Sequence, residues 1–140
     1  MNKTNKPGIV MKIYRISHFL HNHHIKLLPK LFYAMNYVLF SSVIPPQVKI
    51  GKGSRIAHGV GIVIHPSADI GSDCIIYQNV TIANKDVKVG NGVLLGAGSV
   101  ILGPAKIGNN VKIGANTVVN FDVPDNCTVV GQLGHIINKN

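Results

Sequence analysis

The chain has 140 residues, room for one domain and a short appendage. Fourteen Lys and Arg against five Asp and Glu give a net charge of +9, and an apolar fraction of 46% excludes a chain too poor in core residues to fold. No apolar run reaches the ~18 residues of a membrane span, and the run Asn2 to Lys6 leads into no apolar stretch with a small-residue cleavage site. Neither an integral membrane protein nor signal-peptide secretion is expected. Cys74 and Cys127 are too few for a disulfide scaffold or a zinc site, which fits a reducing cytoplasm.

Six of the eight aromatic residues precede Ser41, and fourteen of the fifteen glycines lie from Gly51 onward. Two architectures therefore meet near Pro45 and Pro46, and the expected division is a helical segment over 1–43, a second unit over 44–131 and a tail over 132–140. Met11 to Asn22 predicts a short amphipathic helix with Ile13, Ile16, Phe19 and Leu20 on one face. Pro29 can open a second helix through Leu31, Tyr33, Met35, Val38 and Leu39, and Pro45 and Pro46 end anything helical.

The pattern then changes. Aliphatic residues recur at Ile44, Ile50, Ile56, Ile64, Ile70, Ile76, Ile82, Val89, Leu95, Ile101, Ile107, Ile113 and Val119. The step is six, with single exceptions of eight (Ile56 to Ile64) and seven (Ile82 to Val89). Glycine follows the aliphatic residue at Gly51, Gly71, Gly90, Gly96, Gly108 and Gly114, where it is expected to allow the backbone of the bend. A helix needs steps of three and four and a plain strand alternates every two. A period of six is a hexapeptide β-helix repeat, three repeats to a triangular coil and roughly four coils in all.

The segment from Ile56 through His58 to Ile64, with Ile76 to Ile82, Leu95 to Gly103 and Lys112 to Val119, resembles the serine acetyltransferase family. It is most similar to that family's short members that acetylate surface polysaccharides. The resemblance spans about residues 44–131. It implies a left-handed parallel β-helix, a homotrimer, acetyl-CoA as donor and O-acetyl transfer.

Departures from the family pattern bear on the acceptor. Ala57 stands where the family has Asp before the histidine matching His58, and Ser42 to Pro46 replaces its Val-Asp-Ile-His-Pro stretch. The loop carrying another active-site histidine shrinks to Ala83 to Lys88. The lost groups are those associated with serine, so a saccharide or lipid-linked saccharide hydroxyl is the expected acceptor, in capsule, O-antigen or exopolysaccharide synthesis. Serine acetylation for cysteine synthesis and a catalytically silent scaffold are the alternatives.

Counting two residues past the aliphatic position on one corner gives His58, Gln78, Ala97 and Ala115, which should stack in a column. Coils ~4.8 Å apart put His58 roughly 10 Å from Ala97. Ala97, Gly98 and Ala115 would leave a smooth wall for a pantetheine arm, its thioester aimed at His58. A neutral imidazole suits a general base for a hydroxyl. Ala83 and Asn84 match the family's paired glycines, so either amide is a candidate donor to the oxyanion. His65, Asp69 and Asp86 are candidate partners of His58.

No metal is expected, since His58 and His65 stand seven apart and zinc-binding β-helices use histidines five apart. Lys112, with Lys88 and Lys106, is a candidate for the phosphates of coenzyme A. Lys12, Arg15, Lys26 and Lys30, with Phe19, Phe32 and Tyr33, offer a peripheral contact with the inner face of a membrane. No nucleic-acid-binding motif is visible.

Overall fold

The computed structural model describes residues 8–131, so the expected tail over 132–140 lies outside the described residues. Two helices lead into a parallel solenoid of about four coils. Each coil contributes one short strand to each of three sheets. The first sheet holds β1 (Lys49–Ile50), β4 (Asp69–Ile70), β7 (Val87–Val89) and β10 (Ala105–Ile107). The second holds β2 (Arg55–Ile56), β5 (Ile75–Ile76), β8 (Leu94–Leu95), β11 (Lys112–Ile113) and β13 (Thr128–Val129). The third holds β3 (Val63–Ile64), β6 (Thr81–Ala83), β9 (Val100–Leu102) and β12 (Val118–Val119).

All thirteen aliphatic positions of the six-residue period are buried in one core. A second buried series lies two residues before them and, Ile62 apart, is built from small side chains: Ser42, Ser54, Ala68, Cys74, Ser99, Ala105 and Thr117 among valines. A residue turned inward there competes for space with the aliphatic residue of its own coil, and the large exception, Ile62, falls in the longer eight-residue step. Cys74 belongs to this series. Burial pushes its thiol up from the usual value, and its Sγ donates to the Gly90 carbonyl at 3.2 Å.

The glycines after the aliphatic positions are required for a different reason from the one expected. None of Gly51, Gly71, Gly90, Gly96, Gly108 and Gly114 has a positive φ. They are close-approach positions: a Cβ on Gly96 would stand 2.7 Å from the backbone of Gly114 and Ala115 in the next coil. The left-handed backbone falls farther on. Gly53, Asp73, Gly92, Asn110 and Asn126 stack at the corner between the first and second sheets, and Gly61, Asn79, Gly98 and Asn116 at the next, with φ between +54° and +75°. Glycine, asparagine and aspartate share these positions because they tolerate that region better than other residues.

α1 (Ile9–Asn22) buries Val10, Met11, Ile13, Tyr14 and Ser17. The predicted face is corrected: Ile13 is buried, but Ile16 and Phe19 are 45% and 60% exposed. Polar groups set the rotation. Tyr14 donates its hydroxyl to the Val48 carbonyl at 2.6 Å, and Ser17 to the Pro29 carbonyl at 2.8 Å. Arg15 donates to the carbonyls of Ile50 and Gly51, and His18 Nδ1 meets the Pro46 carbonyl at 2.7 Å. α1 thus lies across the open edge of the first coil and satisfies carbonyls that have no preceding coil to pair with. α2 (Leu28–Phe40) opens on Pro29 and packs beside α1, with Asn36 donating to the Val10 carbonyl. No described helix is long and apolar enough to cross a membrane.

Candidate active site

The second sheet fixes the column. Ile56, Ile76, Leu95 and Ile113 are register partners from coil to coil. His58, Gln78, Ala97 and Ala115 therefore follow one another down the corner between the second and third sheets. Backbone bonds across that corner tie the coils together: Gly98 N–H to the Gln78 carbonyl at 3.0 Å and Asn116 N–H to the Ala97 carbonyl at 2.8 Å. His58 and Ala115 are exposed, and Gln78, Ala97 and Gly98 half-buried. The wall is open to a ligand laid along it.

Two features escaped sequence reasoning. Tyr77 brings its ring to 6.4 Å from the His58 imidazole, centroid to centroid. Its signal was available: it follows Ile76, the register partner of Ile56, so it lies beside the start of the His58 corner. Gln78 Oε1 is buried and has no hydrogen-bond partner in the structure. A buried acceptor left unpaired costs about 1–3 kcal/mol, and this one stands between His58 and Ala97.

The remaining candidates scatter. Ala83 and Asn84 lie at the far end of β6, roughly 16 Å from the Gln78 corner at the rise of a strand, with Asn84 at φ +66°. Within one chain they do not meet His58. His65 and Asp86 also lie at that far corner, where His65 Nδ1 contacts the Ser67 hydroxyl at 2.8 Å. Asp69 projects from the first sheet, in register with Lys49 and Lys88. None of the three orients His58 within a single chain. Of the lysines, Lys88 and Lys106 are on the first sheet, away from the column, and Lys112 is on the second, three residues before Ala115. Among the described residues no group of three His, Cys, Asp or Glu is arranged to hold a metal ion.

Comparison with known proteins bears on this geometry. Residues 86–120 match the bacterial transferase hexapeptide family, described by six repeats. A Helicobacter pylori serine acetyltransferase is 36% identical over 95% of this chain and 82% of its own length. The chain belongs to the serine acetyltransferase family. The Synechococcus elongatus enzyme of that name is 38% identical over 95% of this chain, which spans only 58% of the relative. A solved serine acetyltransferase in complex with CoA superposes with a TM-score of 0.82 at 38% identity, covering 91% of this chain and 55% of that one. Isoform 3 from Entamoeba histolytica, solved with cysteine, gives 0.82 at 34% identity over 94% of this chain and 50% of its own. The family fold, a left-handed parallel β-helix behind two helices, is the fold of this chain. These relatives are all serine acetyltransferases, and none carries the narrower likeness to polysaccharide-modifying members.

Proposed function

We propose that the chain is an acetyl-CoA-dependent O-acetyltransferase with His58 as general base. The observation that carries this reading is the register-defined column, which sets an exposed histidine at the head of an open wall of alanine and glycine. Coenzyme A in a solved relative of the same fold supports the donor. The pantetheine arm would lie along Ala97, Gly98 and Ala115, with Lys112 near enough to meet a phosphate. His58 takes the acceptor's hydroxyl proton as that oxygen attacks the thioester carbonyl. The tetrahedral intermediate then collapses with cleavage of the C–S bond, and the imidazolium returns the proton to the departing thiolate. Backbone N–H donors from Ala83 or Asn84 would reach the oxyanion only from a neighbouring copy, so the reading includes a homotrimer whose clefts lie between subunits.

L-serine is the acceptor that the relatives favour. A sugar hydroxyl is the second reading, favoured by Ala57 beside His58 and by the short Ala83 to Lys88 segment, which has no histidine. Release of coenzyme A thiol from acetyl-CoA, measured with L-serine and then with hexoses and N-acetylhexosamines, separates them. Turnover with serine establishes the first, turnover with a sugar alone the second. No release with any acceptor, together with no coenzyme A binding, would leave a silent scaffold.

A further inference from the structure

Apart from the column, the described residues form a cavity of about 540 Å³ between α1 and the first coil. Its lining is Lys12, Arg15 and Ile16 from the helix, and Lys52, Gly53, Ser54 and Arg55 from the corner and strand β2. Four cations face one concavity and no carboxylate lines it. Asp73 is near, its Oδ1 filling the space that a Cβ on Gly53 would take, but it is not among the residues lining the cavity. Ser54 is fully engaged, donating to the Gly71 carbonyl and accepting from the Cys74 N–H.

One of the four cations is held in place by the fold. Lys12 and Arg15 are three apart on α1 and share a face. Arg15 is anchored by two N–H bonds to the Ile50 and Gly51 carbonyls, which leaves three of its five donors free in a fixed orientation. Lys52 and Arg55 have no side-chain hydrogen bond among the described residues. Converging like charges focus a positive potential in the cavity, which a polyvalent anion relieves. The volume exceeds that of a lone inorganic ion and falls in the range of small-molecule sites, and Ile16 with the lysine stems supplies an apolar side.

We infer that this cavity is an anion site for a multiply charged organic phosphate, held by Lys12, Arg15, Lys52 and Arg55. It is separate from the donor's phosphates, because it borders the first coil while the Ala97 and Ala115 wall belongs to the third and fourth. The inference rests on this geometry and not on the acetyl-transfer reading.

Calorimetric titration of the full chain with inorganic pyrophosphate at low salt tests it. Lys52→Gln/Arg55→Gln should bind about tenfold more weakly, while Lys88→Gln/Lys106→Gln, which loses the same charge from the first sheet, should bind like the parent. Sedimentation with phosphatidylglycerol vesicles, against phosphatidylcholine, identifies the source. Binding lost in the first double variant assigns the phosphate to a lipid headgroup, and no vesicle binding assigns it to a soluble ester. Absence of pyrophosphate binding, equal affinity in all three proteins, or displacement of pyrophosphate by coenzyme A would overturn the inference.

Discussion

Gln78 is a residue whose surroundings are incomplete, and its substitution separates stability from binding. Gln78→Leu removes a buried oxygen that has no partner, so the folded state should be unchanged or firmer by about 1 kcal/mol in urea denaturation. Because Gln78 lies on the column between His58 and Ala97, the changed shape of the wall should raise the KM for acetyl-CoA about tenfold. A variant with unaltered KM would remove Gln78 from the site. His58→Ala should behave oppositely to a core substitution. Its side chain is exposed, so melting should barely move, while kcat falls by about 10²–10⁴ and coenzyme A affinity holds. His58 was legible in the sequence because register arithmetic places every second residue after an aliphatic position. The same arithmetic places Tyr77 beside that corner, but the approach of its ring to His58 depends on which rotamer the neighbouring side chains leave open.

At the level of the element, the coils and their helical cover obey different rules. Gly90→Ala should destabilise by about 1–3 kcal/mol, since the new Cβ would stand 2.8 Å from the Gly108 backbone. Gly92→Asn should cost far less, because asparagine already occupies the equivalent corner positions 110 and 126 at φ +55° and +61°. Equal costs in chemical denaturation would refute this division of labour between glycines. Periodicity exposed the aliphatic positions at once, since a core one side chain wide admits no other residue type. It did not separate close-approach glycines from left-handed ones, because a glycine's presence says nothing of its φ or of how near the next coil's backbone comes. Nor did the apolar pattern of α1 give its buried face: Tyr14, Arg15 and His18 turn the helix toward unpaired carbonyls, and hydrophobicity does not register that demand. Burial pushes the Tyr14 hydroxyl up to about 12 from an ordinary 10. The unfolded chain loses this proton first, so the contribution is complete below pH 10 and disappears as pH rises from 10 to 12. Stability should drop over that interval in the parent and drop less in Tyr14→Phe.

For the whole molecule, the three sheets present different outer surfaces. The first carries Lys49, Asp69, Lys88 and Lys106, a solvated ladder of charge. The third carries Val63, Thr81, Val100 and Val118 in register, with Val63 and Val118 40% and 58% exposed. A flat row of β-branched side chains suits burial against another copy far better than it suits water. If the homotrimer reading holds, light scattering should give about three times the chain mass, and Val63→Glu/Val118→Glu should lower it toward one. Because the third sheet borders the His58 corner, that variant should also lose activity while its circular dichroism spectrum is retained. A monomeric variant with full turnover would exclude a cleft shared between subunits.

The Asn91–Gly92 pair carries a consequence for the protein's chemical ageing. Asparagine before glycine is prone to lose its amide when the following backbone nitrogen attacks the side-chain carbonyl and closes a succinimide ring. Here the Gly92 N–H is engaged with the Ser72 carbonyl at 2.8 Å, and Asn91 Oδ1 accepts from the Ser72 N–H at 2.8 Å. Nucleophile and electrophile are each bound to the preceding coil instead of to one another. Conversion at Asn91 should therefore be slow in the folded chain and accelerate only as the coils separate. Once formed, an isoaspartyl link lengthens the backbone by one methylene and throws every later residue of that coil out of register, so one such event would bar refolding of the solenoid beyond it. Peptide mapping after timed incubation in graded urea should show the modification tracking the unfolded fraction.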